Sequence, residues 1–82
     1  MTEVQRECSV VAIEEMAELT KVLCKIQRFG IDDEKRADMI AEIGDVQCMI
    51  NLLCDHYNIS YSDVNQAVMA KREKLTIWSD LI

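Results

Sequence analysis

The side chains of this sequence best suited to chemistry are carboxylates. Glu14, Glu15 and Glu18 stand within five consecutive residues, and Glu42 and Asp45 follow after 23 intervening positions. If each group lies on a helix, Glu14 with Glu18, Glu15 with Glu18, and Glu42 with Asp45 are like-charge neighbours at i,i+4 or i,i+3, which destabilises the helix that carries them. Something cationic should compensate them. Two carboxylates from each of two facing helices bring hard oxygen donors to one point, which suits Mg²⁺ or Mn²⁺. The chemistry that follows is phosphoryl or pyrophosphoryl transfer. For Glu14 and Glu18 the plain alternative is a solvated carboxylate paired on the surface with Lys21 or Lys25. A ferritin-like di-iron centre would need Glu-x-x-His on two helices. His56, the only histidine, has no Glu three residues before it and suits a place near a loop or cap.

Three helices must position these groups. The pattern breaks at Arg28-Phe29-Gly30-Ile31-Asp32-Asp33, where Gly30 suits a helix C-terminus and the Asp pair a following N-cap. It breaks again at His56-Tyr57-Asn58-Ile59-Ser60, where Ser60 and Asp63 resemble a capping box. The expected helices run from about Thr2 to Phe29, Asp33 to Tyr57, and Tyr61 to Trp78. Projected at about 100° per residue, the apolar residues of the first helix sweep most of its circumference, so it should be nearly surrounded. Glu15 interrupts that arc between Val22 and Ile26. In the second helix Glu42 falls between Met49 and Leu53, and Asp45 between Leu52 and Met49. Unpaired carboxylates on such arcs are costly, and no basic residue shares their arcs within a turn. Gly44 sits beside them in mid-helix at a propensity cost of up to ~1 kcal/mol relative to Ala, as glycines do where another backbone comes close. The third helix is amphipathic through Val64, Ala67, Val68, Leu75 and Trp78, and Lys71 projects into the middle of that seam, as a phosphate contact or as a snorkelling lysine.

Composition bounds the rest. The 82 residues allow one domain, spanning the whole chain. Half are hydrophobic, and three helices of this size leave apolar faces wet, so self-association is the first expectation. With 9 basic residues against 15 acidic ones, the net charge of −6 argues against a nucleic-acid partner. No apolar run exceeds four residues, which excludes a membrane-spanning helix or signal-peptide core and predicts a soluble cytoplasmic protein. The four cysteines have neither disulfide nor zinc spacing: Cys8 and Cys24 would lie roughly 24 Å apart on one helix, and Cys48 and Cys54 about 9 Å apart on another. All four are expected to be small buried hydrophobes. Phe29, Tyr57 and Trp78 could stack on a base, but core or interface positions suit them better.

Glu14-Glu15-Met16-Ala17-Glu18, followed after 23 residues by Glu42-Ile43-Gly44-Asp45, resembles the EExxE…ExxD signature of the MazG-like all-α nucleoside triphosphate pyrophosphohydrolases. Ala-Glu-Leu after the first acidic pair and Glu-Ile-Gly-Asp-Val in the second segment add to the likeness, which covers the first two helices fully and the third loosely. The resemblance implies an all-α, three-helix protomer that dimerises into a four-helix-bundle core, as a homodimer or homotetramer. It implies Mg²⁺, with Mn²⁺ as a substitute, held by Glu15, Glu18, Glu42 and Asp45. Glu14 would orient or deprotonate the attacking water, or sit one layer outside the metal ligands. Lys71 would contact phosphates. Lys74 stands where relatives often carry arginine, which removes the bidentate contact arginine makes.

The implied reaction is hydrolysis of a nucleoside triphosphate, canonical or modified and by expectation a dNTP, at the α–β bond to nucleoside monophosphate and pyrophosphate. A housecleaning enzyme or a phage-encoded one would carry it. Two other readings fit the same residues: a relative acting on phosphoribosyl-ATP, and a non-catalytic helical dimerisation module with an acidic groove for a basic partner.

Overall fold

The computed structural model describes every residue from Met1 to Ile82 as three α-helices without a strand. Helix α1 spans Glu3–Phe29, α2 Asp33–His56 and α3 Tyr61–Trp78. Each boundary has a local chemical cause. Thr2 and Gln5 close a reciprocal capping box at the start of α1, with bonds of 3.0 and 2.9 Å between each side chain and the other's backbone N–H. Gly30 ends α1 at φ 81°, in the left-handed region that favours glycine, and its N–H donates to Ile26 O at 2.8 Å. Of the expected Asp pair, Asp32 is the N-cap of α2. Its carboxylate accepts the Lys35 N–H at 2.8 Å and pairs with the Lys35 ammonium at 2.6 Å. That side-chain bond, then the backbone one, hold the Asp32 carboxyl below its ordinary value. Ser60 caps α3 by accepting from Ser62 and Asp63 N–H, but Asp63 makes no return bond, so the second box is half formed.

The short turn around Gly30 folds α1 and α2 into an antiparallel hairpin. Its core is small: Cys8 and Ala12 of α1 meet Met49 of α2, with Val11 and Leu53 packed around them. The open end of the hairpin is fastened by polar bonds. Gln5 Nε2 donates to His56 O at 2.9 Å, and the Ser9 and Tyr57 hydroxyls meet at 2.8 Å. Tyr57 therefore serves the fold, as expected for an aromatic at that register.

Helix α3 is attached more loosely. Tyr61 OH donates to Asp55 at 2.7 Å, while Val64 and Leu75 are half-buried and no residue of α3 is fully buried. The resulting shape is flat and open, with a radius of gyration of 15.2 Å, against about 12 Å for a compact chain of this length. The accessible surface is 6657 Å², against about 5,000 Å² for a compact monomer of this mass.

Several expectations change with that geometry. Helix α1 is covered on the α2 side alone; Val10, Ile13, Met16 and Leu23 face outward and are exposed. Cys8 and Cys54 are buried, but Cys24 and Cys48 are exposed free thiols, because their positions fall on arcs that no second helix covers. Trp78 and Phe29 are 82% and 70% exposed, so neither belongs to the core of this chain. Beyond the backbone of its own helical turns and its two chain neighbours, nothing lies within 4 Å of a Cβ placed at Gly44, so the close approach of another backbone expected there is absent within the chain. No helix is long and apolar enough to cross a membrane.

Candidate metal centre

The helical step that sets Glu15 between Val22 and Ile26 turns it toward α2, and all three residues are half-buried. Across the hairpin, Glu42 and Asp45 stand one turn apart on α2. One carboxylate oxygen from each of Glu15, Glu42 and Asp45 lies within 4.8 Å of the others. Glu42 is half-buried, and its Oε2 is shut off from solvent without any hydrogen-bond partner. An orphaned acceptor of this kind costs about 1–3 kcal/mol, more if charged.

The electrostatics match the geometry. The Glu15 carboxyl is raised above its ordinary value, first by its burial, then by the negative charges of Asp45 and Glu42, then by its contact with the Asp45 side chain, with Glu18 adding a smaller push. No cation answers these charges: the one ion pair of the chain joins Lys35 to Asp32 at the start of α2. A cavity of about 150 Å³ adjoins the cluster, lined by Glu15, Asp45, Cys48 and Met49. Buried Met49 gives it an apolar wall, and exposed Asp45 and Cys48 leave it open to solvent.

Of the seven residues singled out from the sequence, the fold gathers three. Glu18 is exposed one turn along α1 from Glu15, near enough to affect its proton affinity but outside the oxygen cluster. Glu14 is exposed on α1, at the register beside Glu15 that turns away from the hairpin seam. Lys71 and Lys74 are exposed on α3 and pair with none of the carboxylates. The seam expected to enclose Lys71 is open, since Ala67, Val68 and Trp78 beside it are exposed too. Cys48 in the cavity wall is the residue that reading the sequence missed. Its position three residues after Asp45, on the same helical face, was the available signal.

No protein family, curated protein or solved structure matches the chain.

The residues fit a hard divalent cation on three counts. All three donors are carboxylates, they converge across two elements, and one buried oxygen is left without a partner. A surface ion-pair cluster would carry lysine or arginine among the acids, and this one does not.

Proposed function

We propose that the chain is a Mg²⁺-dependent nucleotide pyrophosphohydrolase, with Mn²⁺ as an alternative ion. Its reaction cleaves a nucleoside triphosphate, by preference a dNTP, between the α- and β-phosphates. The observation that carries this reading is the buried, unpartnered Oε2 of Glu42 within a three-carboxylate cluster that has no basic neighbour. Burying such a group is unfavourable unless a ligand completes it.

In this reading Glu15, Glu42 and Asp45 would hold the ion, with Glu18, exposed one turn along α1, as the fourth carboxylate of the set. A bound divalent ion neutralises triphosphate charge that a chain of net charge −6 would repel, and it polarises the phosphoryl oxygen under attack. A carboxylate near the ion would orient the attacking water and accept its proton, while Glu14, exposed and turned away from the seam, stays one layer outside the ligands. The water oxygen bonds to the α-phosphorus, the bond from that phosphorus to the bridging oxygen breaks, and pyrophosphate leaves with the electron pair. Lys71 and Lys74, free of partners on α3, meet the departing phosphates. The chain does this as a homodimer or a larger homo-oligomer, with the α1–α2 hairpins of two copies forming a four-helix-bundle core. The surplus of exposed surface over a compact monomer supports that assembly.

The test is a panel of dNTPs, NTPs and phosphoribosyl-ATP with Mg²⁺ or Mn²⁺, scored for pyrophosphate against orthophosphate. Metal-dependent pyrophosphate is the expected product. Orthophosphate alone would move the cut to another bond, and no product with any nucleotide would leave a non-catalytic helical module as the better account.

A further inference from the structure

The outward face of α1 carries a pattern that the hairpin does not use. Val10, Ile13, Ala17, Thr20, Cys24 and Gln27 recur at alternating steps of three and four, the spacing of a coiled-coil seam, and every one is exposed. Val10 and Ile13 leave 49% and 67% of their surface in water. Met16 and Leu23 widen the stripe along one edge, and a shallow groove bounded by Thr20, Leu23 and Cys24 runs over its C-terminal half.

The opposite edge is charged, and its signs are ordered. Glu7, Glu14, Lys21 and Arg28 follow one another at steps of seven, acidic in the first half of α1 and basic in the second. None of them finds an opposite charge within the chain. A parallel neighbour would bring the partner's Ser9, Met16 and Leu23 edge against this one and leave all four charges unpaired. An antiparallel copy of the same helix sets Glu7 against the partner's Arg28 and Glu14 against the partner's Lys21, and two-fold symmetry repeats both pairs. The same register stacks Met16 on the partner's Leu23, Ala17 on the partner's Thr20, and Ile13 on the partner's Cys24.

We propose that this face of α1 docks antiparallel against α1 of a second copy, in the register that matches its two charged halves. The proposal deepens the pairing of copies stated above by naming the face and the direction of approach, and it stands apart from the catalytic reading. The surface excess supports it. Each chain exposes about 1,600 Å² more than a compact monomer of its mass, and two such chains together match the 2,000–5,000 Å² buried in obligate homodimers.

Sedimentation of the parent chain should give twice its mass of 9.4 kDa. Mild oxidation of Ile13→Cys should yield a covalent dimer through the partner's Cys24, lost in Ile13→Cys/Cys24→Ser. Glu7→Arg should weaken dimerisation by about tenfold, since both symmetric pairs turn repulsive, and Glu7→Arg/Arg28→Glu should restore it. A parent that sediments as a monomer would overturn the proposal. So would cross-linking of the parent through Cys24 alone, which requires a parallel pair or another antiparallel register, or a charge reversal that the second substitution fails to rescue. Pyrophosphate release is scored on the same samples, so an inactive dimer rejects the catalytic reading and keeps the interface, while an active monomer does the reverse.

Discussion

Replacing Glu42 by glutamine is the most direct probe of the cluster. The Glu42 Oε2 is buried and accepts no hydrogen bond, and its neighbours Glu15 and Asp45 are carboxylates within 4.8 Å. Glutamine keeps the shape, removes one of three like charges and offers an N–H₂ group to oxygens that lack a donor. Relief of an orphaned acceptor and one new hydrogen bond together contribute about 1 kcal/mol, the low end of what such groups are worth. For a domain of this size that raises the melting temperature by about 4–8 °C in metal-free buffer. In Mg²⁺ the order should reverse. An ion at a hundred times its dissociation constant stabilises the parent by about 2.7 kcal/mol, and a variant that has lost one ligand gains less. The assay is thermal unfolding with and without millimolar Mg²⁺ at fixed chain concentration, alongside pyrophosphate release, which the variant should lose. A variant that melts below the parent without metal, shows the same Mg²⁺ increment, or hydrolyses nucleotide at the parental rate would refute the assignment of Glu42 as a ligand.

Two further outcomes rest on particular groups. The Glu15 carboxyl titrates above its ordinary value of 4.5, so the folded chain binds that proton more tightly than the unfolded one. Its contribution to stability is fully present at lower pH and is lost as pH rises through the folded value. In metal-free buffer the parent should therefore lose stability relative to Glu15→Gln from pH 4.5 upward; parallel pH profiles for the two chains would show that Glu15 is not strained by its neighbours. Gly30 holds φ 81° with open space around it, so Gly30→Ala should cost about 1 kcal/mol from backbone strain alone, and an unchanged denaturant midpoint would show that the turn relaxes.

Much of the architecture was legible before any tertiary contact was known. The helix ends were written in local chemistry: glycine at position 30, an aspartate after it, serine at position 60, and tyrosines where the second helix stops and the third begins. The observed ends differ from the expected ones by a residue, because Thr2 and Tyr57 are caps rather than helical residues. The misfit of Glu15, Glu42 and Asp45 with their apolar arcs was legible for the same reason. Angular position on a helix follows from residue number, and a carboxylate among valine and isoleucine stands out whatever lies opposite.

What lies opposite was a different matter. The apolar arc of α1 is wider than one neighbour can cover, and sequence periodicity does not say which part the neighbour takes. The hairpin turn decided it. Helix α2 lies on the side of Cys8, Ala12, Glu15 and Val22, which buries two thiols, leaves Cys24 and Cys48 in water, and strands Val10 and Ile13 on the outer face. The same choice separated Glu15 from Glu18, one turn apart and both acidic, into a cluster member and an exposed neighbour. Helix α3 lacks a bulky apolar partner along Ala67, Val68 and Lys71, so its lysines stand clear of the carboxylates that residue type alone would pair them with. Residue order therefore determined the helices and the odd charges on them. Tertiary contact decided which charges meet, because burial depends on the one arc that a neighbouring helix covers.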